Sequence, residues 1–175
     1  MVWEQWSLPR YSFTFWLAVL CKLRAKDKLG FISVNTLCSF CRQTEESYDH
    51  LLFGCAWTSS LWNYVRSWLR INRTMSALTS VIRGVKNKGK GLESHMRRVA
   101  LTLLMYFIWE ERNKRLFDSP SKPVGVIFCR FQVLFYTIMY FHEKNPLTYN
   151  IAEWNGYHVL LGSVDTIMSA ASFFS

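Results

Sequence analysis

Four residues in one short window have the chemistry of a metal site. Cys38 and Cys41 are separated by two residues, His50 follows after eight more, and Cys55 after a further four. Two thiolates at that spacing reach one ion from a single tight turn. An imidazole and a third thiolate, arriving from the next element, complete a tetrahedral shell of three sulfurs and one nitrogen, a donor set that zinc takes in closed structural sites. Four protein ligands leave no position for an activated water, so the expected ion is structural Zn2+ and not a catalytic one. Structural zinc contributes on the order of 10–16 kcal/mol of apparent binding energy. The net stability of a small domain is about 5–15 kcal/mol, so residues 38–55 are expected to depend on metal for their shape. The competing reading of the same residues is a redox or accidental Cys-x2-Cys pair, with Cys55 a small core residue and His50 a surface cap.

The elements that must position these ligands are predicted to be helices. Residues 1–10 read as a lead-in strand or loop ending at Pro9. Phe13, Trp16, Leu17, Leu20 and Leu23 recur at three- and four-residue steps, which predicts a helix over 11–23. A charged stretch follows, Gly30 supplies a stop, and an extended segment over 31–37 leads into the cysteine turn. Ser47 is placed to cap a short helix through Phe53, with Gly54 as its terminator. Thr58 or Ser59 opens another helix with Leu61, Trp62, Val65, Trp68 and Leu69 on one side, which favours core packing of both tryptophans over base stacking. Helices are further expected over 76–85, 92–117 and 124–142. The glycine-bearing loop 86–91 and the linker Ser119-Pro120-Ser121-Lys122-Pro123 separate them. The expected fold class is therefore mostly α: a small helical domain organised around zinc over 1–72, a basic loop and long helix over 73–118, and an apolar helix with a weakly patterned tail over 119–175.

Half of the 175 residues are hydrophobic and 17% are aromatic, including eight Trp and thirteen Phe, enough for a buried core. The 21 Lys and Arg against 12 Asp and Glu give a formal charge of +9, which favours an anionic partner, RNA or DNA. Two basic runs are candidates for phosphate contact: Lys22, Arg24, Lys26 and Lys28 ahead of the cysteines, and Arg83, Lys86, Lys88, Lys90, Arg97 and Arg98 farther on. The alternative for each is a solvated face. Glu110, Glu111, Arg112, Lys114 and Arg115 read as ion pairs on an exposed helix end. Cys21 and Cys129 lie in apolar segments and read as core residues. His95, His142 and His158 are isolated and are not expected to bind metal. An odd cysteine count and no apolar leader point to an intracellular, reducing compartment, nucleus or cytoplasm. The segment 124–141 is interrupted by Arg130 and Gln132, so a membrane span is not expected. Asp27, Asp49, Asp118 and Asp165 are scattered, so no carboxylate cluster for two-metal phosphoryl transfer can be assembled. No polymerase, endonuclease or RNase H activity and no small-molecule substrate is expected.

Several segments occur in the order found in one family. They are Val2-Trp3, Pro9-Arg10-Tyr11-Ser12-Phe13 with Trp16, the basic run 22–29, Cys38-Ser39-Phe40-Cys41, Glu45-Glu46-Ser47, His50-Leu51-Leu52-Phe53-Gly54-Cys55 and Leu61-Trp62. The chain in this stretch resembles the reverse-transcriptase zinc-binding domain of plant LINE-type, non-LTR retroelements. The stretch Ile108-Trp109-Glu110-Glu111-Arg112-Asn113-Lys114-Arg115-Leu116-Phe117 is similar to the segment that often follows that domain. The resemblance is dense over 2–70, sparser to 117, and slight over 118–175. It implies that Cys38, Cys41, His50 and Cys55 are the metal ligands, that the domain lies downstream of a polymerase, and that a retroelement polymerase is a partner. The intervals differ from the shorter ones of the retroviral knuckle, so direct gripping of a single strand by the metal loop is not expected. Lacking the enzyme's carboxylates, the chain reads as a fragment or domesticated remnant.

Overall fold

The computed structural model describes residues 9–28, 35–72, 76–86, 92–117 and 120–143. Five α-helices organise them: α1 (Pro9–Val19), α2 (Ala56–Trp68), α3 (Leu78–Lys86), α4 (Leu92–Leu116) and α5 (Val124–Glu143). Among the described residues there is no strand, only an antiparallel bridge between Leu37 and Glu45. No described helix is long and apolar enough to cross a membrane. The mostly helical architecture with a Cys3His cluster followed by long helices is as expected.

α4 is the central element. Met96, Ala100, Leu103, Leu104, Phe107, Ile108 and Glu111 along it are all buried. α1 and α3 pack against it, and α5 packs against both α4 and α2. Trp68, near the end of α2, sits edge-on to Phe128, Phe131, Phe135 and Tyr136 of α5, with ring centroids 5.0–6.2 Å apart. That edge-to-face geometry is the favoured one for aromatic quadrupoles. Trp62 is buried on the other side of α2 and stacks with Phe53 at 5.6 Å. Both tryptophans are thus packing residues. Tyr64 is exposed on one side yet stacks on Phe128.

α1 begins at Pro9, whose missing N–H costs nothing in the first helical turn. It ends at Val19, four residues earlier than the periodicity predicts. The chain turns because Cys21 takes φ 51°. Its N–H bonds Ala18 O at 2.9 Å, and the next N–H, of Lys22, bonds Leu17 O at 2.9 Å. These are the two bonds of a Schellman ending, with cysteine where glycine is usual. Cys21 is consequently exposed, not a core residue, whereas Cys129 is half-buried in α5. α2 ends the same way around Arg70, at φ 52°, with Ile71 N bonding Arg66 O at 2.9 Å.

The charged end of α4 is not an exposed face. Glu111 and Arg112 are only 1% and 3% accessible. The i,i+4 pair of Arg115 with Glu111 forms as expected, at 2.9 Å, but inside the structure.

Candidate metal centre

The cysteine turn is a knuckle closed by backbone bonds. Cys38 N donates to Thr44 O at 2.8 Å, Glu46 N to Thr36 O at 2.8 Å, and Arg42 N to Cys38 O at 2.9 Å. Arg42 adopts φ 56°, the left-handed kink that reverses the chain just after Cys41. The N–H of Phe40 points at Cys38 Sγ, 3.4 Å away.

His50 and Cys55 arrive from a single wide turn, His50–Gly54. Cys55 N donates to His50 O at 2.7 Å, an i to i+5 bond of the π type. Five residues then make little more than one turn, so His50 and Cys55 share a side. Such a turn would leave its carbonyls without helical partners, and α2 supplies them. Thr58 Oγ1 donates to Leu51 O at 2.8 Å, Trp62 Nε1 to Leu52 O at 2.8 Å, and Ser59 Oγ to Phe53 O at 2.9 Å. Gly54 has no left-handed φ and is not a helix terminator of the expected kind. An added Cβ there would lie 3.4 Å from His50 Nδ1, at the edge of ordinary van der Waals contact.

The structure brings together all four residues that the spacing singles out. One ligand atom from each of Cys38, Cys41, His50 and Cys55 lies within 4.8 Å of every other. Cys41 Sγ is 3.3 Å from His50 Nε2. Bonds of about 2.3 Å to sulfur and 2.0 Å to nitrogen put tetrahedral neighbours roughly 3.5–3.8 Å apart, so the cluster needs only small movements to close on one zinc ion. Cys38 and Cys55 are fully buried, and Cys41 and His50 half-buried. These residues are positioned to bind one metal ion, and the sulfur-rich set suits zinc.

The protonation of the four groups is shared among them. A hydrogen bond with Cys55, then burial, pushes the Cys38 thiol up to about 12. The same bond to Cys38 is the leading cause that lowers Cys55 to about 7. Cys41 is also lowered to about 7: burial opposes ionisation, but the N–H groups of Gln43 and Thr44, the Thr44 hydroxyl and His50 outweigh it. Burial works against the His50 cation too, and is overcome by Cys41 and Cys38, which raise its pKa. Two near-neutral thiols beside a histidine favour the thiolates a soft cation requires.

Two other polar residues around the site, Thr44 and Glu46, are not marked as ligand supports by the cysteine and histidine spacing. Thr44 Oγ1 sits 2.9 Å from His50 Nε2 and 3.7 Å from Cys41 Sγ. Glu46, wholly buried, accepts from Ser39 N and Ser39 Oγ, at 3.0 and 2.6 Å, between the first two ligands.

The basic candidates separate. Lys22, Arg24 and Lys28 are exposed, but Lys26 is 9% accessible and its Nζ donates to Leu37 O at 2.7 Å, tying down the segment that leads into the knuckle. Arg83 is exposed on α3. Arg97 is ion-paired with Glu93, and Arg98 Nη1 donates to Ser94 Oγ at 2.9 Å. The Lys86 side chain, Lys88 and Lys90 lie outside the described residues, as do the His142 side chain and His158. His95 is buried in α4, apart from the four-residue cluster.

No curated protein and no solved structure matches the chain. Residues 1–62, which span all four ligands and the first half of α2, match the model of a family described as zinc-binding in reverse transcriptase.

Proposed function

We propose that this chain is a non-catalytic, zinc-stabilised module of a retroelement reverse-transcriptase-like protein, of the LINE type found in plants, that assists the binding of RNA or DNA. The observation that carries the reading is the convergence of Cys38, Cys41, His50 and Cys55 within a stretch matching a reverse-transcriptase zinc-binding family. A closed Cys3His shell supports a structural role for the ion. Glu46, Glu110 and Glu111 are engaged by arginine or lysine partners, which disfavours a role as catalytic bases. The formal charge of +9 and the exposed Lys22, Arg24, Lys28 and Arg83 support an anionic partner.

The test is metal analysis of the purified chain beside Cys41→Ser, followed by nucleic-acid titration across a salt series. One zinc per chain, lost in the variant, and an affinity that falls steeply with salt are expected. Zinc without affinity for any nucleic acid at low salt would refute the nucleic-acid role. It would leave a second reading, a domain that docks on protein, which the exposed Phe13 of α1 and Leu20 in the turn just after it favour.

A further inference from the structure

We propose that Arg112 of α4 is a positioning residue of the metal site, so that the zinc-binding unit extends well past residue 62. The inference rests on the reading of the Cys3His cluster as a zinc site. Glu46 is the link. One of its oxygens, Oε2, holds Ser39 inside the Cys38–Cys41 turn, through the backbone N–H at 3.0 Å and the hydroxyl at 2.6 Å. The other, Oε1, accepts Lys26 N at 3.2 Å and both Nε and Nη2 of Arg112, at 3.0 and 2.6 Å. Glu46 is fully buried and Arg112 nearly so, and such a carboxylate keeps its charge only where a cation answers it. Arg112 therefore fixes the carboxylate that fixes the turn. A second contact runs parallel. The Arg115 guanidinium lies 4.9 Å from the rings of both Phe40 and Trp57, and those rings stack at 4.3 Å. Phe40 stands between the first two ligands, and Trp57 comes two residues after the last. The 108–117 segment, which looks like an appendage in sequence, thus has a physical reason to accompany the cysteines.

Groups that orient metal ligands without touching the ion typically change affinity 10–100-fold when removed. In the full chain, Arg112→Met is expected to weaken zinc binding by about 10–100-fold in chelator competition, with Arg112→Lys recovering part of the loss. Because Arg112→Met strands a buried carboxylate, the neutral double variant Glu46→Gln/Arg112→Met provides a second arm that keeps α4 packed. In either folded variant the Co2+-substituted site should show shifted d–d bands at saturating metal, which a change of stability alone would not produce. Coupling is also reciprocal. Chelation of the wild-type chain should raise hydrogen exchange at residues 109–116 as well as at 38–55. Wild-type affinity and spectrum in a folded variant, or unchanged protection of 109–116 after chelation, would overturn the proposal. Failure of the wild-type chain to take up zinc would instead refute the metal-site reading itself.

Discussion

Thr58→Val isolates the support that α2 gives the wide turn. Thr58 is wholly buried, and its hydroxyl is 2.8 Å from Leu51 O. Valine keeps the shape and removes the donor, leaving a buried carbonyl unsatisfied, at a cost of about 1–3 kcal/mol. If the turn forms only with metal, the whole loss falls on the metal-bound state. At about 1.4 kcal/mol per tenfold, zinc affinity should drop roughly 5–150-fold. The assays are chelator competition for affinity and urea unfolding in excess zinc for stability. Ser60→Ala is the control: that hydroxyl bonds Ala56 O at 2.9 Å on the exposed side of the same helix, so its removal should change stability by about 0.5 kcal/mol or less. A Thr58→Val protein with unaltered stability would refute the hydrogen-bond argument. Lost stability with unaltered affinity would show that the turn stands without metal, against the dependence argued from the ligand spacing.

Arg70→Gly should stabilise the chain by up to about 1 kcal/mol, raising Tm by roughly 2–4 °C, because φ 52° suits glycine and strains arginine. Trp68→Ala should cost about 3–5 kcal/mol in urea unfolding, since its ring contacts four aromatic side chains of α5. The Glu46 pKa is lowered: burial opposes this, but hydrogen bonds from Arg112 and Ser39 prevail. Its contribution is therefore complete above the ordinary carboxylate value near 4.5 and lost as pH falls through the depressed folded value. The urea midpoint of the wild type should decline over that acid range more steeply than that of Glu46→Gln. Zinc uptake must displace the proton of Cys38, whose thiol is pushed up to about 12, so titration calorimetry in buffers of different ionisation enthalpy should report proton release at pH 7.

The ligand set and the two long helices were legible because each has a strong local signature. Spacing marks the cysteines, and α4 and α5 lie within a residue of the ranges that apolar runs and flanking glycine or proline suggest. The rest depended on contacts far apart in the chain. The end of α1 was hidden because Cys21, not glycine, takes the left-handed position. The short helix expected after Ser47 is present, with Ser47 Oγ accepting from His50 N at 3.2 Å, but nothing in His-Leu-Leu-Phe-Gly announces an i to i+5 bond, and the groups that satisfy its carbonyls belong to α2. Arg112 looked like a surface charge because a pattern of charges four apart is the same on an exposed face and on one buried against another loop. Lys26 reads as a phosphate ligand because it belongs to a basic run, which does not tell an exposed lysine from one whose Nζ donates to Leu37 O.

The dependence of the wide turn on α2 sets a lower limit for transplanting this site. An excised peptide stopping at Cys55 would contain every donor atom for the ion and still leave the peptide oxygens of Leu51, Leu52 and Phe53 facing whatever the host scaffold offers. Any portable version has to run at least through Trp62. An insertion or deletion between Cys55 and Thr58, in the first turn of α2, would be as damaging as one between the ligands themselves.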